Sequence, residues 1–226
     1  MKKIQLFILL IICTINANAQ RIIEEQYVVK PTSSLDLNLE FADSIRIKQS
    51  SDNSVHIKAI VSINENQNND KYELISNEEN DGLRVKAKIH DINSIKIPCK
   101  NHKGSSYDYN DGKCLTIDIY YEIAVPTVAN LKVKTISGNI IVDKGFYPMN
   151  IESISGYIDL SVPSKFNADV NLSTITGGIY TNLEFNKNSS DIESNPGGTN
   201  GTIKINAGGN KVKLQTISGD IFIRKI

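Results

Sequence analysis

His102 lies between Cys99 and Cys114, and these three side chains are the nearest approach to a metal-ligand set in the chain. Thiolate and imidazole are zinc ligands, but three donors at this spacing do not make a familiar four-ligand site. The same two cysteines read more simply as a disulfide, because they are the pair left once an export leader is removed. Closing a loop of about 15 residues stabilises by about 3 kcal/mol in the chain-entropy treatment. The other histidines, His56 and His90, have no nucleophile at a recognisable spacing and are expected to be exposed strand residues. There is no His-Glu-x-x-His, no Gly-x-Ser-x-Gly and no phosphate loop.

Asp108-Tyr-Asn-Asp-Gly112 has the composition of a calcium loop. It places Gly112 at the fifth position, where an oxygen ligand belongs, and Ile119 where the bidentate glutamate belongs, so a polar hairpin tip is expected. Gly208-Gly209 likewise lacks the aspartate of calcium-binding nonapeptide repeats. Within the loop between the cysteines, Tyr107 and Tyr109 flank Asp108 and are the candidate ligand-contact residues, since stapled aromatics serve recognition. No catalytic residue, cofactor or metal is expected, and the chain reads as non-enzymatic.

The first 19 residues form a leader. Lys2 and Lys3 precede an apolar run from Ile4 to Ile15, and Ala17-Asn-Ala19 is a small-x-small site with cleavage between Ala19 and Gln20. Lipidation at Cys13, which would add a membrane anchor, is disfavoured by Ile12, because a small residue should precede the cysteine. The leader carries two of the 25 basic residues against 25 acidic in the whole chain, so the remainder is slightly acidic. That balance argues against a nucleic-acid binder.

Beyond the leader, apolar residues alternate with polar ones: Leu35-Asp-Leu-Asn-Leu39, Leu83-Arg-Val-Lys-Ala87, Leu131-Lys-Val133, Val212-Lys-Leu214. Period two with β-branched residues means half-buried strands. We read one domain over 20–226, less regular over 20–125 and built of repeat coils over 126–226. The repeats are Thr135-Ile-Ser-Gly-Asn-Ile140, Ser153-Ile-Ser-Gly-Tyr-Ile158, Thr174-Ile-Thr-Gly-Gly-Ile179 and Thr216-Ile-Ser-Gly-Asp-Ile221, with a weaker copy at Gly201-Thr-Ile203. A period near 20 predicts stacked coils. Ile136, Ile154, Ile175 and Ile217 should form one column, and Ile140, Ile158, Ile179, Ile203 and Ile221 another, both serving the core. Each glycine should permit the bend between strands, with small hydroxyls packing the corner. Which side chain faces inward at the corner itself is left open, because Cβ direction alternates.

Tyr120-Tyr-Glu-Ile-Ala-Val-Pro126, the coils that follow it, and the ending Val212-Lys-Leu-Gln-Thr-Ile-Ser-Gly-Asp-Ile-Phe-Ile223 resemble a bacterial family of secreted β-strand-repeat domains described as "putative adhesins". The resemblance is strong over about 115–226. It implies an all-β, right-handed β-solenoid or single-stranded β-helix-like stack of ~20-residue coils, an envelope, surface or extracellular location, and no enzymatic activity. It makes the leading expectation an adhesin that binds a glycan or protein ligand through its faces or inserted loops. A periplasmic subunit docking on another envelope protein is the second expectation. A polysaccharide-active enzyme is the third, and it would need two converging carboxylates.

Overall fold

The computed structural model describes residues 19–79, 82–98, 106–109, 113–145, 148–184 and 191–226. Among these the chain is all β apart from one 3-10 turn at Asn69–Lys71. The early strands are β1 (Arg21–Val28), β2 (Ser34–Asn38), β3 (Ser44–Gln49), β4 (Ser54–Ile63), β5 (Tyr72–Glu79) and β6 (Gly82–Ile89). The short β7 (Ile97–Pro98) and β8 (Ser106–Tyr109) precede the long β9 (Lys113–Val125). The repeats supply β10 (Asn130–Thr135), β11 (Asn139–Val142), β12 (Met149–Ser155), β13 (Ile158–Val162), β14 (Ala168–Thr174) and β15 (Ile179–Thr181). Last come β16 (Asp191–Asn195), β17 (Gly198–Ile205), β18 (Asn210–Ser218) and β19 (Ile221–Lys225).

These strands form two sheets. The first runs β1-β4-β9-β3-β11-β13-β19-β15, and the second β16-β17-β14-β18-β12-β10-β2-β6-β5. Each Thr-x-Ser-Gly unit carries the chain from the second sheet to the first, so a coil is a strand pair such as β12–β13. Parallel pairing in register stacks like on like. In the second sheet Leu35, Leu131, Met149, Val212 and Val170 stand side by side. In the first sheet the row is Ile45, Ile140, Ile158, Ile221 and Ile179. All but Ile179 of these ten are buried, and together the two rows fill the space between the sheets.

The stacking order departs from chain order. The coils lie in the sequence β2–β3, β10–β11, β12–β13, β18–β19, β14–β15, so the C-terminal coil is an interior rung. The β16–β17 hairpin explains the detour. β17 lies antiparallel on the outer edge of β14, with Val170 opposite Ile203, while β18 lies on its inner edge. The turn between β17 and β18 passes the start of β14 through three residues with positive φ, Asn206, Gly208 and Gly209. Asn206 Nδ2 pins that turn by donating to the carbonyls of Ser164 and Phe166.

Two sequence expectations change here. Ile203 belongs to the β16–β17 hairpin in the second sheet, so Gly201-Thr-Ile203 is not a coil. And Ile136, Ile154, Ile175 and Ile217 do not serve the core: they are 38 to 52% exposed. The strand parity that buries Leu131 and Val133 turns Thr135 inward and Ile136 outward. Thr135, Ser153, Thr174 and Thr216 are the buried members.

Those hydroxyls and the glycines form one clasp at the corner. Ser153 Oγ donates to Gly138 O (3.2 Å), Thr216 Oγ1 to Gly156 O (3.2 Å) and Thr174 Oγ1 to Gly219 O (2.8 Å). A Cβ on the glycine of each donating coil would meet the same carbonyl, at 2.4 Å for Gly156, 2.1 Å for Gly219 and 1.9 Å for Gly177. Glycine is therefore required mainly by close approach of neighbouring coils. Of the four repeat glycines only Gly156 also has a positive φ, +148°.

At the less regular end, β4 and β1 extend the first sheet antiparallel and β5 closes the second. Tyr72 from β5 and Tyr121 from β9 meet between the sheets, hydroxyl to hydroxyl at 2.7 Å. Burial pushes both phenols upward, so the pair stays neutral.

Candidate functional site

The residues singled out in the sequence are spread over the molecule. His56 lies on the outer face of β4 with Nε2 3.0 Å from both oxygens of Asp52, and His90 sits at the end of β6 with Nε2 2.6 Å from Glu73. Cys114 is buried at the start of β9 and is disulfide-bonded; Cys99 and His102 lie outside the described residues. Tyr107 and Tyr109 belong to β8, which pairs antiparallel with the start of β9 so that Asp108 stands opposite Cys114. Cys13 is outside the described residues as well, and Ala19 and Gln20 stand at their beginning. Among the described residues no group of three or more His, Cys, Asp or Glu is placed to hold a metal.

Three surface features were not foreseen. The first is the isoleucine ladder. Ile136, Ile154, Ile217 and Ile175 follow one another along the stack, and the first three line a groove of about 340 Å³ with Asn38, Glu40 and Gln215. Lys134 and Glu152 bridge its floor at 2.6 Å. Burial pushes the Glu152 carboxyl up, but hydrogen bonds from Lys134 and Asn150, together with the charges of Lys134 and Lys213, outweigh it and hold the group below its ordinary value.

The second feature is a cavity of about 690 Å³ on the outer face where β1, β4, β9 and β3 lie side by side. Its lining includes three carboxylates, Glu24, Glu25 and Glu122, with Lys58 in register between Glu24 and Glu122. Glu24 and Glu122 stand about 10 Å apart at the usual strand spacing.

The third feature is an aromatic cluster farther along the same outer face. The residues after the inward isoleucines Ile158, Ile221 and Ile179 stand in one row: Asp159 on β13, Phe222 on β19, Tyr180 on β15. Tyr180 stacks on Phe222 with centroids 5.3 Å apart and planes 19° apart. Tyr157 meets Phe222 edge-on at 6.0 Å. Arg224 lies 5.9 Å from the Phe222 centroid, and its Nε and Nη2 grip both oxygens of Asp159. Tyr180 is 54% exposed and folds back over Gly178, which has no side chain to obstruct it.

Residues 121–224 match the Toastrack DUF4097 family. These residues, just under half of the chain, are similar to that family. The Toastrack match begins within β9 and runs through β19, so it takes in the aromatic cluster, four of the five coils and the isoleucine ladder. Among solved structures, a "putative cell adhesion protein" from Clostridium sporogenes is similar over 91% of this chain and 100% of its own, with a TM-score of 0.50 at 14% identity. A "putative adhesin" from Bacteroides fragilis covers 92% and 99% with a TM-score of 0.33 at 12% identity. At these identities the first likeness shows the fold alone. No curated protein shows significant similarity to the chain.

At the other end of this outer face, β9 presents Asp118 and Tyr120 beside Asp43. Burial and the neighbouring Asp43 charge raise the Asp118 carboxyl above its ordinary value. A raised acid binds its proton more tightly in the folded state, so this group's contribution falls as pH rises through its folded-state titration. Asp118→Asn is therefore expected to stabilise the protein relative to wild type at neutral pH. The gain should shrink toward about pH 3.5 as the wild-type carboxyl protonates. Urea unfolding at the two pH values checks this; a gain that grew on acidification would refute the sign.

Proposed function

We propose that the protein is a non-catalytic, exported envelope or surface protein of adhesin type, a solenoid-like stack of right-handed coils that binds ligands on its outer faces. The observation that carries this reading is the aromatic and ion-paired outer face of the first sheet. It is an array of stacked rings and fixed polar groups. A leader cleaved between Ala19 and Gln20 and a Cys99–Cys114 disulfide stapling the Tyr107–Tyr109 insertion belong to the same reading. The adhesion named for the Clostridium structure is in keeping with it.

The test is attachment. The chain from Gln20 to Ile226, immobilised on beads, should retain glycans or whole cells that a bead-bound control protein does not, and external protease should reach the native protein on intact cells. Beads silent toward a broad panel, with full protection on intact cells, would defeat the adhesin reading.

A second reading, a periplasmic subunit docked on another envelope protein, is favoured by the isoleucine ladder. Four neighbouring exposed isoleucines make a narrow apolar strip of the kind protein partners cover. Protection on intact cells together with a fixed partner lost on Ile154→Ser and Ile217→Ser would select it.

A further inference from the structure

We propose that the outer face of the first sheet, centred on Tyr180, Phe222 and the Asp159–Arg224 pair, is a subsite for a neutral glycan. The inference rests on the binding reading above and names its ligand class. A pyranose presents patches of C–H on its faces and hydroxyls at its rim. Its faces are matched by aromatic rings, whose negative π clouds attract polarised C–H groups. Its hydroxyls both donate and accept, so they are matched by a carboxylate and a guanidinium held side by side.

All these parts converge on three adjacent strands. Tyr180 presents a half-exposed ring backed by Phe222, with Tyr157 bracing Phe222 from the side. Arg224 spends Nε and Nη2 on Asp159, which fixes the guanidinium plane; Nη1 has no partner among the described residues. Asp159 is itself almost wholly buried and holds the more exposed Arg224 side chain through both carboxylate oxygens. Neither the Tyr157 nor the Tyr180 hydroxyl has a partner among the described residues.

Charge decides between neutral and acidic sugars. Both guanidiniums on this part of the face are already matched by carboxylates, Arg224 by Asp159 and Arg46 by Asp143 at 2.9 Å. Asp220 adds further negative charge, while Glu122 stands between Arg46 and Lys58. A carboxylated or sulfated sugar would meet compensated cations and repelling acids, whereas a neutral one loses nothing by their pairing. From Tyr180 on β15 to Tyr120 on β9, itself 44% exposed, the face spans five strand spacings, about 24 Å. That is room for a short oligosaccharide lying across the strands.

The experiment titrates the 15N-labelled chain from Gln20 to Ile226 with cellohexaose, laminarihexaose, mannohexaose and chitohexaose, and with trigalacturonate. At least one neutral hexasaccharide should shift amides of residues 178–182 and 220–224, with an affinity little changed by salt. Tyr180→Ala should weaken it about tenfold, which is about 1.4 kcal/mol and within the range of an aromatic contact. Tyr180→Phe, which keeps the ring, should stay within about threefold, and the spectra of both variants report whether they remain folded. Shifts confined to another face, an unaffected Tyr180→Ala, tighter binding of trigalacturonate, or silence toward all four neutral probes would each overturn the proposal. If beads carrying Tyr180→Ala still retain the cells or glycans that wild type retains, this site fails while the adhesin reading stands. If wild-type beads retain nothing, the wider reading fails with it.

Discussion

A chain stopped after Asp220 is expected not to fold. The deletion removes only β19 and Ile226, at the end of the sequence, yet β19 is paired on both sides, with β13 and with β15. Ile221 and Ile223 are fully buried. Truncating one such isoleucine costs about 2–5 kcal/mol, and a domain of this kind has about 5–15 kcal/mol in total. Two buried side chains and two backbone ladders exceed that margin. In a solenoid wound in chain order the last coil is terminal, and its loss frays one end while the rest stays folded. The measurement is urea unfolding by far-UV circular dichroism. A truncated chain that still unfolds cooperatively, within about 2 kcal/mol of wild type, would show that the C-terminal coil is not interior.

Gly219→Ala is the second large effect. The added methyl would stand 2.1 Å from the Gly156 carbonyl oxygen and 2.6 Å from its carbon. Both atoms are backbone, and that oxygen also accepts from Thr216, so it cannot swing aside without breaking the clasp. Gly219 sits between two other coils, since its own carbonyl lies where a Cβ on Gly177 would go, 1.9 Å away. Relief therefore requires parting coils that are stacked in register, and overpacking of this kind costs about 3 kcal/mol or more. Gly197→Ala is the control. Its Cβ would meet only the flexible Asn195 side chain, at 3.3 Å, and the change should be near neutral. Equal denaturation midpoints for the two variants would mean that the corners do not approach as closely as described.

The row of inward residues was legible because alternation is local. Leu131 and Val133, or Val212 and Leu214, declare a buried face by themselves. The same parity carried one step further turns Thr135 and Thr216 inward and Ile136 and Ile217 outward. Hydrophobicity misled at that step: isoleucine is usually buried, but here the clasp needs a hydroxyl to reach the next coil's carbonyl and leaves isoleucine the outer side. The aromatic cluster was hidden for another reason. Tyr180 and Phe222 are each one residue past a repeat isoleucine, so their outward direction follows from the motif. Their contact does not, because a stack in chain order would set the coil of Tyr180 directly against that of Asp159.

The sequence by itself determined that this chain is built of β-strands, that its second half repeats about every twenty residues, and that a Thr/Ser-x-Ser/Thr-Gly unit marks the corners of those repeats. These properties depend on neighbours within a few residues, where period and steric freedom are written directly. Only the tertiary structure decided which coil lies on which. Five coils with nearly identical inner faces pack about equally well in several orders. The order was settled by elements outside the repeat, the β16–β17 hairpin and its left-handed turn, which occupy the outer edge of β14 and send the last coil back into the stack. That choice brings Phe222 between Asp159 and Tyr180, and so assembles the surface on which function is proposed.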